Sequence, residues 1–187
     1  MERLFDILIS EKPSLLIKEN EEYIFSLVPS LQFCKGFEQN NHWHIYDVYE
    51  HILHVIDGVS NNLIIRLTAL FHDVGKPYTY TEDENGIGHF YNHWKKSQEI
   101  FLEFAEKYHL EKELSERVAK LIFYHDLQFD KLSEKEIEEV LDKFDESEIC
   151  MLFELKQSDL LAQNPAFHYL LDRYRLQKEQ LLKQKLK

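Results

Sequence analysis

His72 and Asp73 stand side by side in LTALFHDVGK, at the end of a run from Leu63 to Val74 that is apolar nearly all round. An unpaired carboxylate buried in such a run costs several kcal/mol, so something must compensate it. Three further polar residues fall on apolar stripes. His51 lies within the stripe of Val48, Ile52, Val55 and Val59. Leu114, Val118 and Leu121 lead at helical spacing to His125, and Leu152 and Leu155 lead to Asp159. One histidine on an apolar face is usually a core imidazole bonded to a carbonyl. Separate helices each turning an imidazole or a carboxylate inward point instead to a shared divalent cation. Imidazole nitrogen with carboxylate oxygen suits Mg, Mn, Fe, Ni, Co or Zn, and the lack of cysteine ligands argues against a structural zinc site. The cation would offset the buried charge of Asp73 and Asp159.

Those residues need helices to carry them. Only five Gly and four Pro occur in 187 residues, and apolar positions recur at three and four spacings, so an all-α fold is expected. The pattern predicts helices over 47–59, 62–74, 93–108, 112–127, 134–143, 146–163 and 167–185. Residues 1–40, with Pro13 and Pro29 flanking SLLIKENEEYIFSLV, read as two short helices covering the core. Gly75 is expected to cap the helix ending in His72-Asp73, and Pro77 to stop it. YTYTEDENGIGHFY alternates around Asn85-Gly86, which predicts a small β-hairpin after the HD pair. Length and the absence of repeats predict a single domain over 1–187, with covering helices in 1–40, a core in 41–165 and a terminal helix in 166–187.

With 22 basic and 34 acidic residues, the net charge of −12 disfavours nucleic acid as the main ligand, although the basic stretch from Arg173 to Lys187 leaves an RNA contact open beside a plain solvated helix. No apolar run is long enough for a membrane span, and no basic start precedes an apolar stretch at the N-terminus. Cys34 and Cys150 lack CxxC spacing and read as free thiols. A cytoplasmic protein is expected.

The order His51, His72-Asp73, Asp159 resembles the H…HD…D signature of the HD-domain metal-dependent phosphohydrolases. GFEQNNHWHIYDVYEHILH, LFHDVGKPYTYTEDENGIGHFYNH and DLLAQNP are similar to the HD domain of bacterial tRNA nucleotidyltransferases, the CCA-adding enzymes, from about Leu4 to Pro165. The Gly-Ser and paired-aspartate motif of the polymerase head does not precede this region, so nucleotidyl transfer is left out of the expectation. The resemblance implies an HD-domain helical bundle with one metal on His51, His72, Asp73 and Asp159. Some HD proteins hold two metals, bridged by the Asp of the pair and completed by later histidines. His93 and His125 stand in that interval, so a binuclear site is open.

The expected activity is hydrolysis of a nucleotide or similar small phosphate ester, monoester or diester, by a metal-activated water. Lys76, in HDVGK, is the candidate to hold phosphate. Asp73 would be a ligand that also orients the water, and His93 or His125, if free of metal, would protonate the leaving oxygen. His44 and Asp47 are expected to support the site, His89 to lie at its rim, and Tyr78 and Tyr80 to pack on the body. A non-catalytic metal-containing module that binds RNA, a nucleotide or a protein is the alternative, and an oxygenase with a di-iron site is a third reading. Oligomeric state is not readable.

Overall fold

The structure is a computed structural model that describes residues 1–186. Four short helices open the chain: α1 (Glu2–Leu8), α2 (Pro13–Glu19), α3 (Glu21–Leu27) and α4 (Pro29–Cys34). The expected two helices become four: α1 precedes Pro13, α4 begins at Pro29, and Asn20 breaks the segment between the prolines into α2 and α3. Its side chain donates to the Leu16 carbonyl (2.7 Å), competing with the helical ladder, and α3 restarts after it. Pro13 and Pro29 sit at helix starts, where a missing N–H costs nothing. Leu4, Leu8, Ile17, Ile24 and Leu31 are fully buried, so these helices cover the core as expected.

The central layer is α5 (Val48–Gly58) and α6 (Leu63–Phe71), flanked by α8 (His93–Lys107), α9 (Lys112–Tyr124) and α11 (Glu146–Leu161). Their inward faces form one core with α1 to α4, centred on Ile52, Val55, Leu67, Leu70, Phe71, Phe101 and Val118. A smaller core of Leu121, Phe129, Leu141, Phe144, Phe153 and Leu181 joins α9 and α11 to α10 (Glu134–Leu141) and α12 (Leu171–Lys185). Ser133 and Asp145 each close a capping box at the starts of α10 and α11, worth about 1 kcal/mol apiece. No helix is long and apolar enough to cross a membrane.

The fold is all-α with one small hairpin. Strands β1 (Thr81–Glu82) and β2 (Gly88–His89) pair antiparallel. The connection is longer than the two-residue turn that Asn85-Gly86 calls for. Gly86 has φ +75° but Asn85 does not adopt positive φ. Instead the Asp83 carboxylate accepts from the N–H groups of Asn85 (2.9 Å) and Ile87 (3.0 Å), which closes a five-residue loop.

Two expectations at the end of α6 are corrected. Gly75 has φ −78°, ψ −15°, so it is no left-handed cap. Pro77 does not stop a helix either; it lies in the first turn of a new one, α7 (Lys76–Thr79). The last predicted helix also divides, into a 3-10 turn at Pro165–Leu170 and then α12.

Candidate metal centre

His51 projects from the middle of α5. Asp47 caps that helix by accepting from Glu50 N–H (2.7 Å), and its second oxygen takes Gly36 N–H (2.8 Å). Asp47 therefore fixes the helix that carries His51 and does not itself reach the centre. Across from His51, α11 comes unusually close to α5. A Cβ on Gly58 would lie 2.1 Å from Ser158 Oγ, and that hydroxyl donates to the Val55 carbonyl (2.9 Å). The next residue, Asp159, thus stands with Oδ1 2.9 Å from His51 Nε2.

His72 is the C-cap of α6, and Asp73 follows in the turn between α6 and α7. Because the helix stops there, adjacent side chains converge that would diverge by about 100° within it. Two residues later, Gly75 admits α8: a Cβ there would meet His93 O at 2.5 Å and Ser97 N at 2.6 Å. Gly75 N–H donates to Ser97 Oγ (2.9 Å). This contact brings His93, the first residue of α8, to 3.3 Å from Asp73 Oδ1. His125 arrives from the end of α9, 3.7 Å from the same oxygen.

The four imidazoles share one arrangement. Nδ1 of His51, His72, His93 and His125 faces the carbonyl of Ala162 (3.3 Å), Ala69 (2.7 Å), Phe90 (2.8 Å) and Ile122 (2.7 Å) respectively. A carbonyl only accepts, so each Nδ1 carries the proton and each Nε2 offers its lone pair inward. Nε2 of His51 and His72 and Oδ1 of Asp73 are buried without a hydrogen-bond partner. Orphaned donor atoms of this kind fit a metal cation. They fall into two groups, His51 with His72 and Asp159, and Asp73 with His93 and His125, with ligand atoms in each group within 4.8 Å of one another. Asp73 Oδ2 is also 3.3 Å from both His51 Nε2 and His72 Nε2. One carboxylate oxygen thus faces each group, the disposition of a bridging ligand.

Electrostatics follow from this crowding. Burial would raise the Asp73 pKa, but His72, Lys76 and the other imidazoles outweigh it and hold the carboxyl well below its usual range. Asp159 is likewise held down, against burial, chiefly by His51. Burial pulls His51 down, yet the Asp159 and Asp73 carboxylates raise it to about 9. His125 is lowered by burial together with His93 and His72. Without a cation, a proton on His51 takes its place between the two carboxylates.

Lys76 is buried rather than exposed. Its ammonium is 2.6 Å from Asp73 Oδ2 and donates to Gln39 Oε1 (2.8 Å). A cavity of about 600 Å³ opens onto the centre, reaching Asp73, Lys76, His93, His125 and Asp159. His44 lines it, with its ring 5.2 Å from that of His51; burial, with Lys76 nearby, lowers its pKa to about 2. His89 lies at the rim and pairs with Asp83 (3.2 Å). Tyr80 packs edge-on against Phe37, while Tyr78 is half exposed beside Phe33; neither lines the cavity.

Other lining residues were not singled out by sequence. Trp43, Phe90, Tyr91, Trp94 and Tyr174 supply aromatic wall, and α12, expected to be merely solvated, adds Arg173 and Gln177. Lys156, buried one turn before Asp159, donates to the carbonyls of His125 (2.6 Å) and Leu127 (2.9 Å). Burial lowers its pKa, and nearby carboxylates, Asp126 foremost, oppose that. Only its helical spacing to Asp159 could have drawn attention to it.

Compared with known families, residues 42–151 match the family model of the HD domain. The matched stretch takes in His51, His72, Asp73, His93 and His125 and ends before Asp159. A search of curated proteins finds no match.

Proposed function

Since more than half of the chain matches that model, it belongs to the HD-domain family, and from this premise we propose a metal-dependent phosphohydrolase acting on a nucleotide or similar small phosphate ester. The observation that carries the reading is the common orientation of the four histidines, each Nδ1 facing a carbonyl and each Nε2 turned toward Asp73. His51, His72 and Asp159 would hold one cation, and His93 and His125 a second, with Asp73 between them. A divalent cation bound there supplies Lewis acidity toward a phosphoryl oxygen and lowers the pKa of a bound water.

The chain's own groups do the rest. Lys76 keeps Asp73 ionised and fixed, while Gln39 holds Lys76 in place. As ligands, His93 and His125 would not be free to protonate the leaving oxygen, and that role would fall to water or to another cavity group. The aromatic wall of Trp43, Tyr91, Trp94 and Tyr174 offers flat surfaces against which a base can pack. Charge favours an anion too. Against an overall charge of −12, the cavity lining is balanced, with Asp73, Asp126, Asp130 and Asp159 opposed by Lys76, Lys131, Lys156 and Arg173. A divalent cation makes it locally positive. The motif likeness to the HD domain of CCA-adding enzymes also supports a nucleotide.

The test is metal analysis together with hydrolysis of nucleoside monophosphates, cyclic nucleotides and p-nitrophenyl phosphate by Mn-loaded protein. His72→Ala and Asp159→Ala should each lower kcat/KM by at least about a hundredfold, since even residues that merely orient ligands cost 10- to 100-fold. Unchanged hydrolysis in both variants refutes the site. A metal-loaded protein inert to every ester is a binding module, and oxygen uptake with ferrous iron would mark an oxygenase.

A further inference from the structure

The two buried lysines of this cavity are neutralised in different ways. Lys76 rests against a carboxylate, 2.6 Å from Asp73 Oδ2, so its charge is matched inside the protein. Lys156 is 6% exposed, yet both its acceptors, the carbonyls of His125 and Leu127, are neutral. No carboxylate among the described residues lies within ion-pair distance of it: Asp126 is exposed, Asp159 is turned to His51, and Asp130 pairs with Arg173. Buried Glu148, by contrast, takes both Arg117 (3.3 Å) and Lys120 (2.6 Å). An ammonium buried without a counter-charge is costly, and a wall of the substrate cavity is where an incoming anion can supply one.

Position points the same way. Lys156 and Asp159 are three apart on α11, hence neighbours on one helix face. The carbonyl that Lys156 holds belongs to His125, whose Nε2 is 3.7 Å from Asp73 Oδ1. An ammonium has three donors, and the two carbonyls take two of them. The Tyr174 ring, 5.7 Å from Nζ, backs the amine from α12.

We propose that Lys156 holds the phosphoryl anion of the substrate beside the metal centre, and that Lys76, whose charge is matched by Asp73, does not. This rests on the phosphohydrolase reading above, but it can be read by phosphate binding alone.

The experiment titrates inorganic phosphate calorimetrically into Mn-loaded wild-type protein and into Lys156→Met, Lys156→Gln, Lys156→Arg and Lys112→Met, with metal content measured in each. A charge-assisted hydrogen bond corresponds to about a ten- to hundredfold change in affinity, so Lys156→Met should weaken phosphate by that factor. Lys156→Gln keeps donors for the two carbonyls without the charge, and should weaken it similarly even if the Met variant folds poorly. Lys156→Arg should retain most of the binding. Lys112→Met removes the same charge from an exposed position on α9 outside the cavity and should change affinity by less than about threefold. Phosphate affinity unchanged in the Met and Gln variants overturns the proposal. So does parallel loss of metal, because Lys156 would then act only by seating His125. Lys156-dependent phosphate binding in a protein that hydrolyses no ester refutes the phosphohydrolase reading and leaves this one standing. A wild type that binds no phosphate at all refutes this one.

Discussion

Gly75→Ala separates the steric contact that seats His93 from every other feature of the centre. The backbone at Gly75, φ −78° and ψ −15°, suits alanine as well as glycine. Reduced unfolded-chain entropy alone would therefore stabilise the variant by about 0.4–1 kcal/mol. Against this, the new Cβ would stand 2.5 Å from His93 O and 2.6 Å from Ser97 N, both backbone atoms, whereas ordinary contact begins at 3.4 Å. The start of α8 must then withdraw by about 0.9 Å, the difference between 3.4 and 2.5 Å. Overpacking of this kind costs about 1–3 kcal/mol. Net of that gain about 0–2.6 kcal/mol remains, so at about 2–4 °C per kcal/mol for a chain of this size Tm should fall by up to about 10 °C. The larger effect is on metal. His93 Nε2 lies 3.3 Å from Asp73 Oδ1, and ligand distances tolerate errors of only about 0.2 Å, so the group of Asp73, His93 and His125 should lose its cation. His51, His72 and Asp159 come from other elements and should keep theirs. Elemental analysis after dialysis should fall from two equivalents of metal to one, alongside the lowered Tm. Ser97→Ala is the control, since it removes the acceptor for the buried Gly75 N–H at about 1–3 kcal/mol without inserting an atom. A Gly75→Ala protein that retains two equivalents of metal would refute the reasoning.

Metal uptake should depend on pH with a sign set by His51. Its metal-free pKa is raised to about 9, so binding at neutral pH must expel a proton, and apparent affinity should climb about tenfold per pH unit until pH 9 and then level off. The metal-free chain behaves oppositely, because stability from the His51 ion pairs is fully present below pH 6.5 and is lost as pH rises through 9. An affinity flat between pH 6 and 9 would contradict the first claim, and metal-free melting temperatures that rise over the same range the second. Lys76→Met strips Asp73 of its closest cation and should cost about 3–5 kcal/mol in the metal-free protein, as breaking a buried pair does. Added Mn should recover part of that, so an equal Tm loss with and without metal counts against Asp73 facing the cation.

Hydrophobic periodicity made the helices and their inward faces legible, because burial imposes 3.6-residue spacing on sequence. It also exposed His51, His125 and Asp159, which interrupt apolar stripes that later proved to be buried faces. What it could not give was distance between helices. Whether His93 and His125 reach Asp73 depends on how closely α8 and α9 approach the end of α6, and no single segment encodes that. Lys76 is placed near the centre by its proximity to His72 along the chain, but one of its two side-chain partners, Gln39, lies in a loop with no periodic signal. The breaks at Asn20 and before α7 were missed because they arise from side-chain competition and from turn geometry, which apolar spacing does not register.

The two close approaches share a chemical device that explains how scattered ligands become one centre. Gly58 receives Ser158, and Gly75 receives Ser97, each where a Cβ would lie under 3 Å from the hydroxyl. Each serine then bonds the backbone it touches, Ser158 to the Val55 carbonyl and Ser97 to Gly75 N–H. A missing Cβ lets two helices approach, and the hydroxyl satisfies a backbone group that the approach would otherwise bury unpaired. The first contact delivers Asp159 to His51; the second delivers His93 to Asp73. Each candidate metal group is thus drawn together by one glycine–serine contact lying outside it. The two contacts sit on different helix pairs, so the groups should be separable by mutation, and Asp73, with one oxygen toward each, is the element they have in common.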